Sequence, residues 1–198
     1  MKKEILGIVA LAMMAVFAGC GGSGAAGSAA PQASFGGAVS MGEHKALVAY
    51  FSRTGHTRAL AEVIRKETGA DIFEIRPAEP YPEDYQGTVA RFQRERARHI
   101  RPALAGEGPD LSGYDVVFVG YPNWGSDMPP VVKTYLSEHD LSGKKVVPFC
   151  THGGGGWGRS VESLKELEPS AEVLPGYEMQ GGQVDEGRAA DWLRRIGL

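Results

Sequence analysis

Two uninterrupted apolar runs stand out along the chain, Ala46-Leu47-Val48-Ala49-Tyr50-Phe51 and Val116-Val117-Phe118-Val119-Gly120-Tyr121. Each is too short for a core helix and rich in strand formers, which predicts strands buried on both faces at the centre of a parallel sheet. After the first run, residues 57–68 put Leu60, Ala61, Val63 and Ile64 on one side of a helix and Glu62, Arg65 and Lys66 on the other. Asp71-Ile72-Phe73-Glu74-Ile75 alternates, as a strand nearer the sheet edge does. Pro77, Pro80 and Pro82 break the chain, a polar helix follows over 83–98, and 99–113 reads as loop. Beyond the second run, a helix over 130–138 turns Val131, Val132, Tyr135 and Leu136 inward, with proline in the turn that tolerates it. A strand over 144–150 and a helix over 158–167 come next. A last strand over 171–174 is interrupted by Pro175-Gly176 and resumes weakly to Gln180, and a terminal helix starts near Asp185. Repeated strand-then-helix units predict an α/β fold with a parallel sheet covered on both faces.

Sheets of this kind take ligands beyond the carboxyl ends of their strands, where strand order reverses. Three loops leave those ends with unusual composition: 52–57, 122–128 and 151–158. Ser52-Arg53-Thr54-Gly55-His56-Thr57 is a hydroxyl-rich turn between a buried strand and a helix. Unpaired N–H groups and the helix dipole favour an anion there, and Ser52, Thr54 and Thr57 add hydroxyls. Read alone, the turn is also compatible with an ordinary capped helix start. It is neither a P-loop nor a G-x-G-x-x-G loop, so the expected anion is a compact terminal phosphate. In Pro122-Asn123-Trp124-Gly125-Ser126-Asp127-Met128, an aromatic beside a glycine suits a planar heterocycle; the bland alternative is a Trp124 that covers a hydrophobic edge. Thr151-His152-Gly153-Gly154-Gly155-Gly156-Trp157-Gly158 repeats the combination and implies a mobile lid or close backbone contact with something flat.

The amino terminus changes the picture of where this domain works. Lys2-Lys3 precede an apolar stretch from Ile5 to Ala18 that ends in Phe17-Ala18-Gly19-Cys20, too short for a membrane span. Small residues before a cysteine resemble the lipobox of bacterial lipoproteins. That resemblance implies a signal peptide over 1–19, lipidation of Cys20 and an anchor in the cell envelope outside the cytoplasm. A Gly/Ala/Ser tether over 20–43 leads to a single domain over 44–198. With 21 basic and 24 acidic residues the net charge is −3, which argues for no particular partner. The arginines at 91, 94, 96, 98 and 101 read as a solvated helix face, and nucleic acid is not expected. Of the two cysteines, Cys150 reads as a buried small side chain at a strand end. No G-x-S-x-G elbow, H-E-x-x-H motif or zinc-like histidine spacing points to a hydrolase.

Taken in order, Tyr50-Phe51-Ser52-Arg53-Thr54-Gly55-His56-Thr57, Gly120-Tyr121-Pro122-Asn123-Trp124, Pro148-Phe149-Cys150-Thr151-His152-Gly153-Gly154 and Gly158-Arg159-Ser160 resemble the flavodoxin-like family, over about residues 45–196. The resemblance implies a three-layer fold with a five-stranded sheet of order 2-1-3-4-5 and noncovalently bound FMN. On that likeness Ser52, Arg53, Thr54, Gly55, His56 and Thr57 hold the phosphate, Pro122, Asn123, Trp124 and Gly125 flank the isoalloxazine, and Thr151, His152 and Gly153 reach its pyrimidine edge or other side. Asp127 is expected to set a negative field beside the ring, and a backbone carbonyl near Gly125 to accept a hydrogen bond from it.

The resulting expectation is an electron-transfer protein serving a redox protein partner or a small-molecule acceptor. The alternatives are an FMN-dependent NAD(P)H reductase of quinones or nitro compounds, with Arg91, Arg94 or Arg98 contacting an anionic donor, and a non-catalytic interaction module that has kept the fold.

Overall fold

The computed structural model describes residues 42–197, so the expected signal peptide, Cys20 and nearly all of the expected tether lie outside the described residues. Among the described residues, no helix is long and apolar enough to cross a membrane. The elements run β1 (Ala46–Tyr50), α1 (His56–Thr68), β2 (Asp71–Glu74), α2 (Tyr85–Ala97), β3 (Val116–Pro122), α3 (Pro130–Glu138), β4 (Lys145–His152), α4 (Ser160–Leu167), β5 (Glu172–Val173), β6 (Tyr177–Gln180) and α5 (Glu186–Arg195). All pairings among these strands are parallel, in the order β2-β1-β3-β4-β5, with β6 also on β4.

The apolar strands feed two cores because successive side chains point to opposite faces. Val48, Tyr50, Phe118, Val147 and Phe149 pack with Leu60 and Ile64 of α1 and Trp192 and Leu193 of α5. Leu47, Ala49, Val117, Val119, Tyr121 and Val146 pack with Val131, Val132 and Tyr135 of α3 and Leu164 of α4. Full burial of one such aliphatic side chain stabilises by about 1.5–3 kcal/mol. Gly120 gives Phe149, its cross-strand partner, room for its ring; a Cβ on Gly120 would lie 2.0 Å from that ring.

The fifth lane of the sheet is split into β5 and β6, and Pro148 gives the reason. The Val146 carbonyl accepts from Leu174 N–H at 2.9 Å, so alternate residues of β4 from Val146 onward bond toward the fifth lane. Pro148 occupies the next such position and has no N–H to donate. The chain breaks opposite it at Pro175-Gly176, where a Cβ on Gly176 would meet the Pro148 carbonyl at 2.4 Å.

Helix α2 departs from the solvated face expected of it. Arg91 is buried, donates from Nε to Glu95 at 2.7 Å and from Nη1 to the Glu79 and Pro80 carbonyls at 2.9 Å, and lies over the Tyr81 ring. Tyr81 donates to the second Glu95 oxygen at 2.7 Å. Arg91 is therefore committed inside the protein and cannot greet an anionic donor, whereas the side chains of Arg94 and Arg98 have no hydrogen-bond or ion-pair partner among the described residues. Removing one partner of such a buried pair costs about 3–5 kcal/mol. The helix ends in a Schellman arrangement: Ile100 N–H donates to the Glu95 carbonyl at 2.8 Å, and His99 N–H to the Arg96 carbonyl at 3.3 Å. The left-handed position that usually takes glycine is held by His99, at φ +52°.

Two outcomes follow from these placements. His99→Gly is expected to raise stability by about 1 kcal/mol, read from the urea midpoint, because glycine has no Cβ to strain there. Glu168, buried at the end of α4, has its carboxyl pushed up to about 7, first by burial and then by the Asp140 charge, against an opposing hydrogen bond from the Leu141 backbone. The folded state thus holds a proton that the unfolded chain releases, so this contribution is present at low pH and is lost as pH rises toward about 7. Glu168→Gln should stabilise the protein above that window by on the order of 2 kcal/mol and have little effect below the ordinary carboxylate range, as denaturation at both pH values will reveal.

Candidate functional site

The carboxyl ends of β1, β3 and β4 bring the three loops to one edge of the sheet, beside the β1/β3 reversal of strand order. The first loop leaves β1 after Phe51 N–H bonds the Gly120 carbonyl at 2.9 Å. Ser52 Oγ accepts from Gly55 N–H at 3.2 Å and rounds the turn, and Gly55 takes φ +91°, a left-handed angle that glycine adopts without strain. No side chain caps α1. Among the described residues, no hydrogen bond takes the backbone N–H of Arg53, Thr54, His56, Thr57 or Arg58, leaving five donors in six residues at the positive end of a helix dipole.

Thr57 is buried, and its Oγ1 lies 2.9 Å from Thr151 Oγ1, a hydrogen bond that ties the first loop to the third. Thr54 Oγ1 approaches His56 Nδ1 at 3.5 Å. The His56 ring lies against Gly182, where a Cβ would sit 2.6 Å from Nε2. The Arg53 guanidinium turns toward α2 and donates to the Glu83 carbonyl at 2.6 Å. One turn along α1, Arg58 bonds Tyr50 Oη and Glu74. Burial alone would raise the Glu74 carboxyl, but hydrogen bonds from Arg76 and Arg58 outweigh it and hold the group below its ordinary range.

In the second loop Asn123 fastens neighbours together. Its N–H donates to the Thr151 carbonyl at 2.8 Å and its side-chain amide to the Gly156 carbonyl. Trp124 to Asp127 form a tight turn closed by hydrogen bonds of 2.8 and 3.2 Å, with Gly125 at φ +58° and Ser126 at φ +65°, the type I′ geometry. The Trp124 ring is gripped edge-on by Phe51, Tyr81 and Phe92, at centroid distances of 5.5, 4.9 and 5.7 Å. Gly125 lies under α2, where a Cβ would meet Phe92 at 2.8 Å and Arg96 at 2.9 Å.

Two contacts bear on the electrostatics expected at this turn. Asp127 pairs with Lys133 at 2.5 Å and accepts from Ser163 Oγ at 3.1 Å, so its field is largely offset. The Gly125 carbonyl already accepts from Arg96 Nη1 at 3.2 Å. Sequence reading missed Lys133 and Arg96 because both belong to helices that fold back onto the turn.

In the third loop, His152 Nδ1 accepts from Gly154 N–H at 3.0 Å, which leaves Nε2 to carry the proton of the neutral ring, 3.7 Å from Glu178. Gly153, Gly154 and Gly155 are exposed. Gly158 is a packing glycine instead: at φ +56°, its Cβ would lie 2.3 Å from the Ser126 carbonyl, which accepts from Arg159 N–H at 2.9 Å. Cys150 is fully buried and burial pushes its thiol up to about 12, so it offers no thiolate.

Ser52, Thr54, Gly55, His56, Thr57, Pro122, Asn123, Trp124, Thr151, His152 and Gly153 thus share one edge, with Thr57, Thr151 and Asn123 as its fasteners. The Arg53 side chain and Gly125 engage the α2 side. A family model described as Flavodoxin matches residues 45–196. The chain belongs to the flavodoxin family. A flavoprotein of Bacteroides eggerthii is 36% identical, covers 78% of this chain and 99% of its own, and superposes with a TM-score of 0.71. A second, from Bacteroides uniformis, is 28% identical over 76% of this chain and 98% of its own, with a TM-score of 0.70. A Lactobacillus acidophilus flavoprotein, solved in complex with FMN, shares the fold at 21% identity, 75% and 98% coverage and a TM-score of 0.58. The flavodoxin sheet order places the loop after β1 at the reversal point, the position that the unpaired N–H groups occupy here.

Thr57→Val should cost about 1–2 kcal/mol, because the Thr151 hydroxyl loses its buried partner. Adding Thr151→Val should recover part of that loss. Chemical denaturation of the two single variants and the double variant measures this coupling.

Proposed function

We propose that this chain binds FMN noncovalently and carries electrons between redox partners, tethered at the cell envelope through lipidated Cys20. The observation that carries the reading is the group of five unpartnered backbone N–H donors at the uncapped start of α1, joined through Thr57 and Thr151 to the loop after β4. A compact dianion satisfies such a donor set, and no carboxylate among the described residues occupies it. The FMN found in the Lactobacillus acidophilus flavoprotein supports the choice of ligand.

Residues of the first loop, Ser52 through Thr57, would hold the phosphate, with hydroxyls from Ser52, Thr54 and Thr57. Pro122, Asn123, Trp124 and Gly125 would line one side of the ring, and Thr151, His152 and Gly153 the other side or its pyrimidine edge. Bound FMN would supply the electron-transfer chemistry through its isoalloxazine. The chain's own contribution is orientation. Trp124 is held by three rings, Asn123 by two backbone groups and Thr151 by Thr57, so the walls stand before any ligand arrives. Rigid walls lower the ordering cost of binding.

Fluorescence titration of the purified chain should show FMN quenching that saturates at least about tenfold more tightly than riboflavin, since riboflavin lacks the anion that the α1 donors favour. Thr54→Ala should weaken FMN and leave riboflavin unchanged. Equal affinities for the two flavins would overturn the phosphate assignment. Slow reduction of the bound flavin by NADH or NADPH is expected of a carrier; fast reduction with no second protein would favour the reductase instead.

A further inference from the structure

A cavity of about 500 Å³ opens on the far side of the Trp124–Asp127 turn, between the C-terminal end of α2 and the start of α3. Its floor is apolar, formed by Phe92, Met128 and Pro130, with half-exposed Ile100 at the side. Its walls carry four cations, Arg96, Arg101, Lys133 and Arg159. The two carboxylates that face it are already engaged: Glu95 holds Arg91 and Tyr81, and Asp127 holds Lys133 and Ser163. Arg159 makes an exposed pair with Glu166, which screening leaves weak. Arg96 meets only the neutral Gly125 carbonyl, and among the described residues Arg101 has no hydrogen-bond or ion-pair partner at all. The cavity is therefore electropositive over a greasy floor, in a chain whose net charge is −3.

Backbone strain marks the same place. Only two non-glycine residues among those described have positive φ, His99 at +52° and Ser126 at +65°, and both line this cavity. They stand on separate segments, one ending α2 and one in the turn after β3. Glycine would relieve either position, so the strain calls for some use of the residue there.

We propose that this cavity is a binding site for an organic anion: a carboxylate or phosphate group paired with Arg96 and Arg101, on an apolar body seated against Phe92, Met128 and Pro130. The volume falls within the range of small-molecule pockets, and an apolar floor with few convergent polar groups is their usual lining. A guanidinium fork matches either anion through two parallel hydrogen bonds. The site stands apart from the α1 donor set, so it does not depend on FMN for its ligand. Of the residues assigned to the proposed FMN site, Gly125 alone also lines this cavity.

The probe is 2-naphthoate, compared with the neutral isostere 2-naphthol in calorimetric titrations of the full chain near pH 7. Saturable one-to-one binding of naphthoate is expected, at least about tenfold tighter than naphthol, since the charged hydrogen bonds belong to the anion alone. Arg101→Gln removes a charge and no internal contact, and should weaken naphthoate about fivefold or more without changing the melting temperature; Arg96→Gln should weaken it to a similar degree, with a small fall in melting temperature because its hydrogen bond to the Gly125 carbonyl is lost. Arg195→Gln, on α5 and remote from the cavity, should bind as the parent does. Inorganic phosphate at the same sites would compete only weakly, while naphthyl phosphate would compete fully and identify phosphate as an alternative headgroup. Binding should persist when FMN is added. Equal affinity for naphthol, unchanged affinity in Arg101→Gln, absence of saturable binding, or one-for-one displacement by FMN would each overturn the proposal.

Discussion

The parallel ladder that seats β3 between β1 and β4 is the constraint on which the rest depends. Its register pairs Tyr50 with Gly120 and Gly120 with Phe149, so three loops begin within a residue or two of one another at the same edge. No loop contact creates that proximity; the contacts only refine it. Thr57 reaches Thr151, and Asn123 reaches Thr151 and Gly156, because the ladder has already delivered them. A one-residue slip in such a ladder would turn every core side chain to the wrong face. Two buried faces of large apolar residues therefore fix the register far more firmly than the polar edge could.

Polar groups around the edge divide into two kinds. Arg91, Glu95 and Tyr81 satisfy one another in a buried network, and Asp127, Lys133 and Ser163 do the same beside the second loop. Those groups hold α2, α3 and α4 against the turn, and their charges are largely cancelled. Among the described residues, the backbone donors at the start of α1 have no such partners, and neither does Arg101. Groups of this second kind have the most to gain from a ligand, since a group already paired inside the protein gains little.

Most of the architecture was legible in the pattern of apolar residues. The strands at 46–50 and 116–122 and the helix at 130–138 fall where periodicity and punctuation set them, because burial on both faces leaves an uninterrupted signature. The split fifth lane was half legible: Pro175-Gly176 gave the interruption, while its cause, Pro148 in the neighbouring strand, depends on pairing that sequence order does not supply. The three edge loops were visible as compositions. What stayed hidden were long-range partners. Arg91 and Glu95 stand at helical spacing, yet their burial comes from Tyr81 and from the Glu79 and Pro80 carbonyls upstream. Lys133 and Arg96 could not be assigned to the turn without knowing that α3 and α2 flank it.

Strain also follows a division of labour. Gly55 and Gly125 adopt positive φ where a turn must reverse tightly, and glycine makes that nearly free. Gly158 does so where the Ser126 backbone leaves no room for a side chain. His99 and Ser126 adopt similar angles with a Cβ present, and each sits in a motif, a Schellman end and a type I′ turn, that glycine would fill at lower cost. Fold requirements explain the angles but not the side chains. The surrounding packing holds the angle in each case: α2 covers the turn through Phe92 and Arg96, and the paired Glu95 anchors the carbonyl that Ile100 caps. Two rigid supports thus present to one electropositive hollow the two non-glycine residues that, among those described, take positive φ.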